Sequence, residues 1–199
     1  MRAAGIIVVG LFLTFLSGQV SAATSQRPAD CVAHARDKPT LDASRLSNVQ
    51  FRMVNDVIGW ERDGSGKQVE LTLRHGEETA QLKNEVALRI EQGGCETYSN
   101  QYEFSFSRPS QNADGSYWLR KASDLLLEVA PANVDEHFRL QHLAEVLSRQ
   151  AKNQRVTRTF LKEGLEGKLE SGLLGPEYVV EVERRSTKAV LKVTYSIPL

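Results

Sequence analysis

The chain has 199 residues, with 25 basic and 25 acidic side chains and a formal net charge of zero. That balance argues against nucleic-acid binding, where Lys and Arg neutralising phosphates supply most of the non-specific affinity. The length supports one domain with a substantial core and makes two domains a poor fit, and no internal repeat or long like-charge block is present.

At the N-terminus, Arg2 precedes an apolar run from Gly5 to Leu16, and Val20-Ser21-Ala22 fits the small-residue cleavage rule. The run is shorter than the roughly 20 residues that span a bilayer. These features predict a signal peptide over 1–22 and a single exported domain over 23–199, periplasmic or secreted. In an oxidising compartment the two cysteines, Cys31 and Cys95, are expected to form a disulfide. That bond would tie a loosely structured arm, 23–47, to the first sheet.

Val49–Trp60 reads as a strand in which Val49, Phe51 and Met53 alternate before the phase slips near Val54, as a β-bulge requires. Asp63-Gly64-Ser65-Gly66 is a turn signal. Lys67–His75 follows with the cleanest alternation, placing Val69, Leu71 and Leu73 on one face, and His75-Gly76-Glu77 reads as the next turn. Thr79–Gln92 fits strand with a break at Asn84 better than helix, because Leu88 lies off the line of Leu82, Val86 and Ile90. Tyr102, Phe104 and Phe106 mark another strand. Asn112–Ser116 reads as a turn and Tyr117–Arg120 as a short return strand, completing a four- or five-stranded antiparallel meander.

Ser123 then reads as the cap of a short helix, Asp124–Ala130, stopped by Pro131. The clearest helix in the chain lies between Asn133 and Asn153. Asn133 and Glu136 have capping-box spacing, and Leu140, Leu143, Ala144, Leu147 and Ala151 form one apolar stripe. Phe138, His142 and Val146, spaced i, i+4, i+8, form a second line roughly opposite. A helix apolar on two sides is usually buried on both. Either another segment of this chain covers the second line, the short helix being the simplest choice, or a partner does. Gln154–Leu161 alternates weakly, Glu163–Gly175 reads as a loop or irregular edge strand, and Glu177–Glu183 with Ala189–Ile197 reads as a closing hairpin. The pattern predicts an α+β fold: an antiparallel sheet of about seven to nine strands, in two groups, packed against one long and one short helix.

Motifs for chemistry are sparse. His137 and His142 sit about 140° apart on a helix and cannot share an ion. Gly64-Ser65-Gly66-Lys67 lacks the first glycine and the final Ser or Thr of a phosphate loop. Glu61 with Asp63, and Glu181 with Glu183, read as turn or strand-face carboxylates. No catalytic residue, metal site or cofactor is predicted. The expected function is that of a non-catalytic binding protein engaging a protein or cell-envelope component, such as an enzyme inhibitor, an immunity-type protein or an assembly factor. Phe138, His142 and Val146 are the expected contact residues. Arg184, Arg185 and Lys188 form a candidate electrostatic contact, joined by Arg155, Arg158 and Lys162 if the hairpin lies beside a 155–162 strand. Two alternatives stay open. One is a carrier of a lipid or other apolar ligand in a pocket lined by Phe51, Tyr102, Phe104 and Phe106. The other is a hydrolase with a dispersed site.

Overall fold

The structure, a computed structural model, describes residues 38–94, 97–107, 113–169, 176–184 and 187–198. The predicted signal peptide and both cysteines lie outside the described residues.

The described strands form one antiparallel sheet. Strands β1 (Ser47–Arg62), β2 (Gln68–Gln81), β3 (Ala87–Gly93) and β4 (Thr97–Phe106) make a meander. Three helices follow, α1 (Gly115–Val129), α2 (His137–Gln150) and α3 (Gln154–Glu163). Then β5 (Leu165–Lys168), β6 (Glu177–Arg184) and β7 (Ala189–Pro198) complete a seven-stranded sheet in the order β1-β2-β3-β4-β7-β6-β5. The α+β expectation holds, with three helices where one long and one short were expected.

Cross-strand register sorts the helix-facing side of the sheet into rows, since directly opposed residues point the same way. The innermost row described here is Ala80, Leu88, Phe104, Leu191 and Val182, and the next is Glu78, Ile90, Tyr102, Val193 and Val180. The third, Gly76, Gln92, Asn100, Tyr195 and Tyr178, is almost wholly polar yet buried. Beyond it lie Tyr98 and Ile197, half-buried. Along the strands the core therefore passes from aliphatic to hydrogen-bonding.

Helices α1 and α2 cover the aliphatic rows. Leu140, Leu143, Ala144 and Leu147 are buried as the stripe predicts, and the Ser123 hydroxyl donates to the Ala144 carbonyl at 2.8 Å across the α1–α2 contact. Ser123 is thus interior to α1 and caps nothing. The cap is Asp114, whose carboxylate accepts from the Tyr117 N–H, so Tyr117–Arg120 is the first turn of a helix and not a return strand. Gln154–Leu161 is likewise helix: Asn153 accepts from the Arg155 and Val156 N–H groups, and Phe160 is buried. Glycine is required at 115 because a Cβ there would lie 2.3 Å from the Thr157 carbonyl oxygen, where α3 crosses α1.

Other boundaries move for local reasons. The β1 register shifts fall between Ser47 and Gln50 and between Val57 and Gly59, not at Val54. His75-Gly76-Glu77 lies inside β2, which continues to Gln81, so the expected turn does not exist. The break at Asn84 is present, as a short 3-10 turn in which Asn84 adopts φ 57°. Asn133 accepts from the Glu136 N–H, as half of the expected capping box, but α2 begins only at His137. The N-terminal arm is not loose throughout, since Thr40 and Leu41 are buried.

The outer half of the β1–β2 hairpin extends past the rest of the sheet, since β2 meets β3 only from Gly76 onward. Val69 is half-buried there, while the side chains of Leu71 and Leu73 lie outside the described set. Val57 opposes Thr72 and Trp60 opposes Glu70, so the bulge puts Val57 and Trp60 on one face despite their odd spacing. They are 52% and 56% exposed. Asp63 closes the hairpin by accepting from the Ser65 and Lys67 N–H groups, as the turn reading expects.

Candidate functional site at the open end of the sandwich

The helix layer ends over the polar third row. On the β2–β3 side the row is capped by the chain itself. The Glu78 carboxylate, fully buried, accepts from the Thr40 N–H (2.8 Å), the Thr40 hydroxyl (2.7 Å), the Leu41 N–H (2.9 Å) and the Gln92 amide. Among the described residues its partners are two backbone N–H groups, a hydroxyl and an amide. Thr40–Asp42 also runs antiparallel to 132–134, with the Val134 N–H donating to the Thr40 carbonyl and the Asp42 N–H to that of Ala132.

On the β7 side the first turn of α2 reaches over the row. The Arg139 guanidinium lies 5.8 Å from the Tyr195 ring centroid and binds the buried Glu136 at 3.1 Å. Beside it is a hollow of about 200 Å³ lined by Phe138, Arg139, His142, Leu169, Pro176 and Tyr195. Phe138 stands on its rim 82% exposed, more than any other large hydrophobic among the described residues. Its ring meets that of His137 edge-on at 5.3 Å. His142 shares a hydrogen bond of 3.2 Å with the Leu169 carbonyl. Two residues of the expected second line thus meet at one hollow. The third, Val146, is half-buried against the core. Among the described residues, the Val146 end of the line packs against the core while the Phe138 end is exposed.

The element expected to carry the second group of basic residues is a helix, not a strand. Arg184 donates to the Ala113 carbonyl at 3.2 Å, tying β6 to the start of α1. Lys188 lines a different hollow, on the outer sheet face, with Glu103, Glu183 and Lys192. Arg185 lies outside the described residues, and Arg155, Arg158 and Lys162 belong to α3 rather than to the strand expected over 154–161. Of the aromatics named for a carrier pocket, Tyr102 and Phe104 are buried in the core. Among the described residues no group of three His, Cys, Asp or Glu is placed to hold a metal ion, and no helix is long and apolar enough to cross a membrane.

The outer sheet face carries a charge ladder that sequence reading missed. Glu77 binds Arg52 at 2.7 Å and Arg89 at 2.6 Å, and Arg89 also binds Glu91. Burial pushes the Glu77 carboxyl up, but the two arginines outweigh it and hold the group below the ordinary 4.5. A carboxylate lowered by folding contributes stability above its unfolded value and loses it as pH falls through the folded one. Glu77→Gln is therefore expected to flatten the acid limb of the stability curve below about pH 4.5, read as thermal midpoints in a pH series.

Comparisons with protein-family models, curated proteins and solved structures find no match.

Proposed function

We propose that this chain is an exported, non-catalytic binding protein that engages a protein or cell-envelope component through the Phe138 hollow. The observation that carries the reading is a phenylalanine 82% exposed on the rim of a concave site. An exposed large ring beside a hollow is the arrangement of an anchor residue, whose burial on binding supplies much of the affinity. Arg139 and His142 supply polar contacts at the same rim. Export rests on the apolar segment Gly5–Leu16 and the cleavage pattern that follows it. Mass spectrometry of the mature N-terminus tests it, and an intact Met1 contradicts it.

Phe138→Asp tests the contact. Because the ring makes so little of the core, stability is expected to change by no more than about 0.5 kcal/mol. Binding is expected to fall by at least about tenfold, which corresponds to the 1.4 kcal/mol of a modest hot spot. Pull-down from envelope extracts with wild type and variant, both checked for folding, reads the difference. An unchanged set of captured components excludes Phe138 as the anchor.

A further inference from the structure

Charge is segregated on the helix layer. No acidic residue lies between Glu145 and Glu163, and Arg149, Lys152, Arg155, Arg158 and Lys162 are all exposed. On the sheet, by contrast, Arg52 and Arg89 bind Glu77, and Lys168 binds Glu177. None of the five forms a salt bridge among the described residues. Local structure gathers them. Asn153 caps α3 directly after α2 ends, so Arg149 and Lys152 adjoin the first turn of α3. At about 100° per residue, Arg155, Arg158 and Lys162 share an arc of about 60°. Phe160, on the far side of the helix, is buried and so turns that arc outward. Arg184, also exposed, donates to the Ala113 carbonyl near the point where Thr157 meets Gly115, which brings a sixth cation to this end of the layer.

We propose that this basic face seats the protein on an anionic phospholipid surface, by contact with headgroup phosphates and without insertion. Charge complementarity names the ligand, and the rest of the face favours lipid over an acidic protein. Every exposed residue from Arg149 to Glu163 is polar, whereas a protein interface centres on a well-packed anchor such as a ring. A headgroup layer needs only cations, and each Lys or Arg brought near it strengthens binding by roughly fivefold. The apolar side of α3 is already engaged, with Phe160 buried and Val156 packed against the core, so contact is by charge alone. Phe138 lies at the other end of α2, about 16 Å from Arg149 along the axis, so docking in this way leaves the Phe138 hollow free. The proposal does not rest on the reading of that hollow.

Co-sedimentation of the full chain with vesicles tests the proposal. Vesicles of equal parts phosphatidylglycerol and phosphatidylcholine are compared with phosphatidylcholine alone, since the apolar segment Gly5–Leu16 adds the same charge-independent binding to both. Binding to the anionic vesicles is expected to be at least about 100-fold tighter at low salt. It should weaken as added salt shortens the screening length from about 10 Å at 0.1 M to about 3 Å at 1 M. Arg155→Gln with Arg158→Gln is expected to lose about 25-fold, whereas Arg155→Lys with Arg158→Lys keeps the charge and should bind as wild type. Neutralising exposed Lys67 and Arg74 on the β1–β2 hairpin should change binding by less than about twofold. Thermal midpoints confirm that each variant is folded. Equal binding to the two vesicle types, or full binding by the glutamine variant, would overturn the proposal. So would retention on immobilised polyglutamate with no affinity for anionic vesicles, which would assign the face to an acidic protein.

Discussion

Glu78→Ala is expected to destabilise the protein by about 3–5 kcal/mol, one of the two largest single-residue effects anticipated here. The carboxylate is the common acceptor for two backbone N–H groups, a hydroxyl and an amide, all in the buried layer around Thr40 and Gln92. Truncation strands those donors without water, and Thr40–Leu41 loses its attachment to β2. For a domain of this size the midpoint of thermal unfolding should fall by about 10 °C. Glu78→Gln should cost less, since one amide oxygen still accepts while its N–H₂ opposes donors. Calorimetry on the three proteins checks the order. Equal midpoints for wild type and Glu78→Ala would show that the clasp contributes nothing.

The second large effect separates the two tryptophans. Trp118, 1% exposed on α1, packs edge-on against Phe106 at 5.5 Å, whereas Trp60 is 56% exposed on the projecting hairpin. Trp118→Ala is expected to cost about 3–5 kcal/mol through lost burial and the cavity left behind. Trp60→Ala should cost under about 1 kcal/mol, as fits a half-exposed surface residue. Denaturant titrations of both variants measure this. A similar loss for the two would mean the hairpin is packed against the body of the molecule.

Much of the fold was legible because period and register agree. Ala189, Leu191, Val193, Tyr195 and Ile197 share a face of β7 as their spacing predicts, with the first four buried and Ile197 half-buried, and Asn84 breaks the 79–92 stretch where its left-handed backbone permits. Two helices were misread because the signals for caps and turns use the same residues. Asp114-Gly115 is a turn pair by composition and a helix start in fact, and Tyr117-Trp118-Leu119 carries strand propensity that tertiary packing overrides. In α3 the pair Val156 and Phe160, spaced i, i+4 behind Asn153, was the available signal.

The candidate site was half legible. A second apolar line on α2 marks Phe138 and His142, but its reach into a hollow depends on Leu169, Pro176 and Tyr195, far along the chain. Glu78 carried no local sign of burial, since its partners Thr40 and Gln92 are 38 and 14 positions away. Nor could the Arg52–Glu77–Arg89 ladder be drawn before strand register was known.

The central claim is that this protein acts by contact at the Phe138 hollow. Site-specific photocrosslinking in the living source cell tests it most directly, with the photoreactive residue placed at Phe138, at His142 and, as a control on the opposite sheet face, at exposed Glu181. The account predicts a discrete adduct of the same mass from positions 138 and 142 and none from 181. Absence of adducts at 138 and 142, or an equal adduct at 181, would contradict it.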